Sequence, residues 1–504
     1  MHVRFYLSLF LVGLLVFGTA AAFQQTPGYM DAEYYYAGAL RLARGESLDE
    51  PYLWNYLNDP PGLPAPAFAY WMPLVSLMAA AGLKLGLGWW GARLPFLLLA
   101  ACVPVLSAYM AWKFTGQLFA ARLAGVLALF PGFYLAYLGA IDAFALYMVL
   151  GGLFLLLAFE MRLKPALRLA GLGLLAGLMH LARADGLLWL GAALGAAVWQ
   201  ARRERRKFLY LVLPLAAYGL VMAPWYGRNL SVWGALFPPG NGRTLWLVEY
   251  GQTMIFPAGL LNFSTWVAAG WGAHLAGRLE ALGSNLQTVA AVQGGVVLFP
   301  FMLIGAFKLR RCLPVALGLA LWALTLAAMS LIFPYAGQYG GFFHSGAAFQ
   351  PLWWALAPVG LEAAVRTVAV WRRWQRGGQV LRFQVPDMGD LLQRHAAGRA
   401  PNRAVGDGRL TTSRAREVFA AMIDSGEPAD AAMARLGIAE MDDDQLAALC
   451  RALLAANPNV VAQVKQGKTK AIGALVGQAK RRDPNVHPGR FQELCLRLIE
   501  TEHG

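Results

Sequence analysis

Apolar runs long enough to span roughly 30 Å of hydrocarbon recur from the N-terminus to about residue 364, and then they stop. The runs lie near 5–23, 68–83, 93–112, 119–137, 141–159, 168–182, 185–200, 208–224, 287–307, 312–334 and 347–365. A backbone in lipid must satisfy its own hydrogen bonds, so these runs predict helices. The expected architecture is all-α: a polytopic transmembrane bundle of about ten to eleven spans, then a small soluble helical bundle. With 58% hydrophobic and 14% charged residues, the chain is excluded from the class of ordinary soluble proteins.

Charge follows the same division. Through residue 364 there are 22 basic and 13 acidic side chains; the remaining 140 residues carry 21 and 15. The excess of base in the first part sits mostly in short loops, where the positive-inside rule accounts for it without nucleic acid. The run Arg202-Arg203-Glu204-Arg205-Arg206-Lys207 marks a cytoplasmic loop. Lys308 to Arg311 and Arg372-Arg373 share its side if the segments alternate. The stretches 225–286 and 333–345 are then external, and walking backwards puts Asp142 and Arg183-Ala184-Asp185 there too. Walking forwards from a cytoplasmic Arg4 places the loop 24–67 outside. The two walks disagree by one crossing between residues 68 and 120, which marks a re-entrant, split or miscounted segment. Arg4, an apolar stretch and Thr19-Ala20-Ala21-Ala22 also fit a signal peptide; an uncleaved first helix is expected because so many runs follow. The four cysteines, Cys102, Cys312, Cys450 and Cys495, have no metal-type spacing and define no disulfide framework, so reduced thiols are expected.

The segment after the first run, PGYMDAEYYYAGALRLARGE, carries Asp31 and Glu33 and then an amphipathic pattern suited to a helix on the bilayer surface. Spacing alone allows the acids to be helix-capping groups. The order of features points further. A first helix, an acid just beyond it, a surface helix, a Pro-rich stretch (Pro60, Pro61, Pro64, Pro66) and many further spans resemble the GT-C superfamily. These are polytopic glycosyltransferases using lipid-phosphate-linked sugars, including the protein mannosyltransferase and aminoarabinose-transferase branches. The resemblance implies that Asp31, with Glu33 as the alternative, is the catalytic acid of the first external loop. Asp142 in LGAIDAFALY matches the family's second acid. HLARADGLLWL resembles its Arg-(Pro/Ala)-Asp-Gly turn and gives Arg183 and Asp185; APWYGRNLSVWG resembles its Pro-Trp-x-x-Arg-Asn turn and gives Arg228 and Asn229; GGFFHSGAAFQPL resembles its late Phe-Phe-(Arg/His) stretch and gives His344.

The residue types suit an inverting transfer of a sugar from a polyprenyl-phosphate donor to an unidentified acceptor on the non-cytoplasmic face. Asp31 would take the acceptor's proton. Arg183 and Arg228, with His344, would hold the departing phosphate. Arginines snorkelling to headgroups or pairing with Asp185 or Glu249 are the plainer reading. No cofactor is required by the sequence; the resemblance allows a divalent metal. The chain departs from the fuller family in having few spans after its long loop.

Residues 366–407 read as a basic linker, Arg- and Gly-rich, with Pro386 and Pro401. From about 408 the pattern turns helical. Thr412-Ser413 cap a first helix, and Gly437 closes a turn at 431–436. Asp442 to Asp444 open a helix ended by Asn457-Pro458, and the last helix runs from Pro488 to about Thr501. RAREVFAAMIDSG, ANPNVVAQVKQGKTKAIGALVGQAKR and NVHPGRFQELCLRLI resemble the GatB/YqeY tail of the tRNA-dependent aspartyl/glutamyl (Asn/Gln) amidotransferase. Ala479 stands where that family usually has Met, and Val486-His487 where it usually has Ala-Asn. The resemblance implies contact with the body of tRNA. Lys465, Lys468, Lys470, Lys480, Arg481 and Arg482 are the candidate phosphate contacts, with a solvated basic face as the plainer reading. No Gly-rich phosphate loop is recognisable in residues 1–410, so amidation by this chain alone is not expected. Three classes of function stay open: a membrane glycosyltransferase with a cytoplasmic tRNA-contacting tail, a membrane-anchored accessory of a carbon–nitrogen ligase, and a gene fusion without joint activity. Eleven runs exceed what an anchor needs, which favours the first over the second.

Overall fold

The structure is a computed structural model and describes residues 3–204, 207–372, 417, 418, 420, 421, 429–437, 443–467, 469–483, 486 and 488–502. The chain forms two compact units, Met1–Val385 and Pro386–Gly504. Most of the expected linker, most of the expected first helix of the tail with its Thr412-Ser413 cap, and Lys468 lie outside the described residues.

The first unit is an all-α membrane bundle. Among the described residues five helices are long and apolar enough to cross a membrane: Val3–Ala22, Gly88–Thr115, Pro165–Ala182, Leu209–Trp233 and Leu313–Ile332. The pair Leu118–Leu129 and Gly132–Leu138, bent by 51°, makes up to six. The bend falls at Phe130-Pro131-Gly132, where proline withholds a donor and Gly132 takes φ +61°. Every run read from the sequence contains helix, and some of these helices are too short to span a bilayer unaided. Leu74–Leu83, Phe144–Ala158 and Phe299–Lys308 are apolar helices of 10, 15 and 10 residues. At 1.5 Å per residue the ten-residue helices reach only about 15 Å. Composition cannot separate a short buried helix from a span. Leu74–Leu83 falls where the two walks along the chain disagree; with Leu74–Leu83 left out of the crossings and Phe144–Ala158 kept as one, alternation puts Asp31, Asp142 and Arg183 on one face.

Outward faces of these helices are apolar and exposed, as lipid contact requires: Leu15 and Leu220 are 69% and 75% exposed. Inside, small residues let backbones approach. In Pro165–Ala182 the pair Gly173 and Gly177 forms a Gly-x-x-x-Gly face against the helix Lys207–Trp233, and a Cβ on Gly173 would lie 2.2 Å from the Pro214 carbonyl oxygen. One buried cation ties the bundle's upper end. Arg93 donates to the carbonyl oxygens of Ala21 (2.7 Å) and Gly139 (2.8 Å) and to Gln24 Oε1 (2.6 Å). It thereby joins the exit of the first helix to the end of the bent pair. Among the described residues the only strands are Asp49–Glu50 and Ala65–Pro66, an antiparallel ladder pairing Asp49 with Pro66 and Glu50 with Ala65.

In the second unit, Asp443–Ala456, Pro458–Lys465, Gly473–Arg482 and Pro488–Glu502 are helices. Leu446, Cys450, Leu453 and Leu454 pack on Leu475, Phe491, Cys495 and Ile499, the 3–4 spacing of facing helical stripes. Asn457 breaks the chain between the first two helices. Its Nδ2 donates to Leu453 O (2.8 Å) and its oxygen accepts from Gln478 Nε2 (3.3 Å). Gly437 takes positive φ, as its turn reading requires, and so does Gly467 after Pro458–Lys465. All four cysteines are free thiols, buried or half-buried.

Candidate active site

Met30–Ala43 begins immediately after Tyr29 and carries Asp31 in its first turn, where the helix dipole favours a carboxylate. Glu33 is two residues on, about 200° around the helix, and is exposed to solvent. The structure therefore separates the two acids: Asp31 faces the interior and Glu33 does not. Asp142 sits at the turn before Phe144–Ala158, fully buried. One of its oxygens accepts from the backbone N–H of Ala143, and the other from the Tyr29 hydroxyl at 2.7 Å.

His344 joins the two acids. It lies in the short helix Gly341–Ser345, 202 residues from Asp142 in sequence. Its Nε2 is 3.1 Å from Asp142 Oδ2 and 3.5 Å from Asp31 Oδ2, and its Nδ1 is 2.6 Å from Gly340 O. Both ring nitrogens thus face acceptors, the arrangement that fits a doubly protonated imidazolium. Burial pulls this imidazole down, but Asp142's charge and hydrogen bond outweigh it and the net shift is upward. For Asp31, burial raises the carboxyl above its ordinary value, His344 opposes that rise and Asp142 adds to it. The sequence motif places His344 beside a phosphate. It stands between two carboxylates on the cavity wall, with a face stacked on Phe144 at 4.2 Å.

Arg183 ends Pro165–Ala182 in an extended conformation and turns back onto Asp185, Nε to Oδ1 2.9 Å. Tyr147 donates to the other Asp185 oxygen at 3.1 Å. This pairing fixes the guanidinium by its Nε and keeps it charged: burial acts against the charge, Asp185 outweighs it, and the pKa rises. Among the described residues no protein acceptor takes the two terminal nitrogens. The Arg-Ala-Asp-Gly turn depends on its glycine, because a Cβ at Gly186 would lie 2.2 Å from the backbone nitrogen of His180. Gly186→Ala is expected to cost at least about 1–3 kcal/mol, read as a lowered unfolding temperature of the protein in nanodiscs.

Asp31, Arg183, Asp185 and His344 line one cavity of about 780 Å³. Its other walls are aromatic and apolar, among them Tyr35, Tyr70, Trp71, Tyr250 and Phe333. Asp142 is not at the cavity surface; it supports His344 from behind. Arg228, expected as a second phosphate ligand, is not in this wall. Its guanidinium donates to Leu48 O (3.2 Å) and Ala67 O (2.8 Å) and lies over Trp225 and Trp233, so its donors brace the two-strand ladder. Sequence reading misses Tyr29, Tyr35 and Trp71. Only their nearness to Asp31 in sequence, for Tyr29 and Tyr35, could draw notice.

Asp31, Asp142 and His344 also offer one ligand atom each within 4.8 Å of one another. Two carboxylates and an imidazole whose other nitrogen is anchored to a carbonyl make a donor set that fits a divalent cation.

In the second unit, Lys480, Arg481 and Arg482 form the exposed last turn of Gly473–Arg482, and Lys465 the exposed last turn of Pro458–Lys465. For Lys470 the backbone alone is described.

Residues 402–497 match the GatB domain family. The relatives include the GatB-type chain of the aspartyl/glutamyl-tRNA(Asn/Gln) amidotransferase of Rhodopirellula baltica, 47% identical over 97 residues, which are 19% of this chain and 20% of that protein. Its counterpart from Thermomicrobium roseum is 39% identical over 75 residues, 15% of this chain and 16% of that protein. The chain thus spans about a fifth of the length of these curated relatives. Among solved structures, ArnT from Cupriavidus metallidurans bound to undecaprenyl phosphate overlaps 99% of this chain and 78% of its own, with TM-score 0.49 and 15% identity. The archaeal oligosaccharyltransferase AglB from Archaeoglobus fulgidus, in complex with an inhibitory peptide and a dolichol-phosphate, overlaps 75% of this chain and 53% of its own, with TM-score 0.44 and 16% identity.

Proposed function

We propose that the first unit is an inverting glycosyltransferase that moves a sugar from a polyprenyl-phosphate donor to a hydroxyl-bearing acceptor on the non-cytoplasmic face. The observation that carries this reading is the sharing of one aromatic-walled cavity by a half-buried carboxylate, Asp31, and a guanidinium with two unspent nitrogens, Arg183. The sequence motifs that resemble the GT-C superfamily supply four of its residues, Asp31, Arg183, Asp185 and His344.

In the proposed step Asp31 takes the proton of the acceptor hydroxyl while its oxygen attacks the anomeric carbon. The bond from that carbon to the phosphate oxygen breaks, and the negative charge that develops on the leaving phosphate is held by Arg183. Asp185 and Tyr147 fix the guanidinium, so no reorganisation is needed as charge builds. His344, backed by Asp142, keeps Asp31 ionised in a site whose burial would otherwise protonate it. A divalent cation held by Asp31, Asp142 and His344 would supply further positive charge to the phosphate. The apolar remainder of the cavity suits the first isoprene units of a lipid carrier.

The direct test is release of free polyprenyl phosphate by the purified protein in proteoliposomes, offered polyprenyl-phosphate-linked hexoses, pentoses and aminopentoses with a membrane extract as acceptor. Release with one of these donors is expected; no release with any removes the reading.

For the chain as a whole we propose the working division 1–365, 366–407 and 408–504, with the last part cytoplasmic and contacting the backbone of tRNA through Lys465, Lys480, Arg481 and Arg482. Similarity to the amidotransferase chain over residues 402–497 supports this. Binding to backbone phosphates releases counterions, so tRNA affinity should fall steeply with salt. Lys480→Ala, Arg481→Ala and Arg482→Ala together should reduce the salt slope of tRNA binding by about three. An unchanged slope, or no tRNA affinity at low salt, would remove the RNA role.

A further inference from the structure

A second pocket, of about 250 Å³, lies against the Asp31 cavity and shares Tyr70 and Trp71 with it. It is built by the loop between the first helix and Leu74–Leu83. The Asp49–Glu50 and Ala65–Pro66 ladder sets its floor, and Arg228, donating to Leu48 O and Ala67 O on either side, locks that ladder in place. Aromatic rings of Trp54, Trp71 and Trp233 stand around it, with a proline wall from Pro60 and Pro61.

Two polar atoms here are left unspent. Glu50 Oε2 and Trp54 Nε1 are buried and have no hydrogen-bond partner, although both residues line the pocket. Tyr52 lies near the Trp54 indole without the geometry of a hydrogen bond. Buried polar atoms are nearly always paired, so an orphan acceptor and an orphan donor in one small pocket call for a ligand that offers both functions. Asn58 Oδ1 is taken by the Gly240 N–H at 2.8 Å and Asn55 Oδ1 by the Leu57 N–H at 3.1 Å, which leaves both side-chain N–H₂ groups as further donors. Burial, opposed by Tyr34 and Arg228, holds the Glu50 carboxyl at about 7, so near neutrality it can accept or donate.

Hydroxyl groups that donate and accept, on a ring whose C–H faces are apolar, match this lining: the hydroxyls meet Glu50, Trp54 and the asparagines, and the faces meet the aromatic rings. A lipid chain would leave the polar atoms orphaned, and an anion would face Glu50. We propose that the Glu50–Trp54 pocket is a saccharide subsite that holds one ring of the acceptor. Its role on the acceptor side rests on the sugar-transfer reading above; saccharide binding itself does not. Trp71, which lines both cavities, connects the subsite to the proposed base.

The test is saturation-transfer NMR on the full-length protein in lipid nanodiscs, free of alkyl-glycoside detergent, with glucose, mannose, galactose and N-acetylglucosamine as probes. At least one should receive saturation at its ring C–H protons. Glu50→Gln and Trp54→Phe should each weaken that binding about tenfold, the effect of one hydrogen bond to a buried group. Asp31→Asn should leave it unchanged even where transfer is lost, which separates this proposal from the catalytic one. Protein of unaltered sequence carrying 5-fluorotryptophan gives a readout free of substitution: the probe sugar should shift the resonances of Trp54 and Trp71. Absence of saturation transfer to every probe, binding by both variants as tight as that of the unaltered protein, or unmoved Trp54 and Trp71 signals would overturn the proposal.

Discussion

Asp31→Asn is expected to lower the rate of sugar transfer by about 10²- to 10⁴-fold, the usual contribution of a positioned general base. The donor's KM should stay within a few-fold, because the phosphate is held by Arg183. Asparagine keeps the shape of the side chain and removes its proton affinity, so the loss would report on proton transfer and not on packing. Asp31 is singled out over the two other acids by geometry. Asp142 is enclosed, its oxygens occupied by Ala143 N, Tyr29 and His344, and Glu33 points to solvent on the far side of the helix. Glu33→Gln should therefore leave transfer within about twofold. The pH profile gives an independent check. Burial lifts Asp31 above its ordinary value, and the base must be ionised to act. The rate should thus rise with pH along a limb displaced above the usual carboxylate range of about 4 and level off beyond it. A limb at or below pH 4, or undiminished transfer by Asp31→Asn, would sink the assignment.

How much of this is legible in the chain depends on the range of the signal. The tail reads almost element by element, because its breaks are local: Asn457-Pro458, Gly437 and Gly467 act on their own backbone and need no partner. The N-terminal turn carrying Asp31 is legible for the same reason. The length of each apolar helix is not. Leu74–Leu83 is as apolar as any membrane helix, and only its breaks at Pro73 and Gly86 show that it is ten residues long. The meeting of His344 with Asp142 across 202 residues is a tertiary fact without local trace, so a motif finds His344 but not its carboxylate neighbours. Arg228 shows the converse. Its residue type suits a phosphate, yet the carbonyls of Leu48 and Ala67 reach it first. An arginine's chemistry is set by which acceptors the fold delivers, and a motif cannot say which.

His344→Gln should expose what that histidine does. The substitution removes the single positive charge between Asp31 and Asp142 and leaves two carboxyl groups facing each other in a buried site. Removing one partner of a buried pair costs about 3–5 kcal/mol unless a proton is taken up in its place. The variant should therefore unfold at a clearly lower temperature near neutral pH. The sign with pH follows from the raised His344 pKa. A histidine whose folded value exceeds its unfolded value of about 6.5 contributes its full stability below pH 6.5. It loses that contribution as pH rises through the folded value. The stability gap between wild type and His344→Gln should accordingly be widest in mild acid and shrink toward alkaline pH. Catalysis should shift as well: without the imidazolium that lowers its pKa, Asp31 ionises later, and the rising limb of the rate profile moves to higher pH. A cation held by the same three side chains predicts a different outcome. Treatment with EDTA would then reduce wild-type stability and transfer together, readdition of Mn²⁺ or Mg²⁺ would restore both, and His344→Gln would lose its response to either. Wild-type protein that is indifferent to EDTA, with a pH-dependent gap to His344→Gln, establishes the imidazolium as the bridging charge. A gap that is flat across pH 5 to 9 in metal-free protein would remove it from that role.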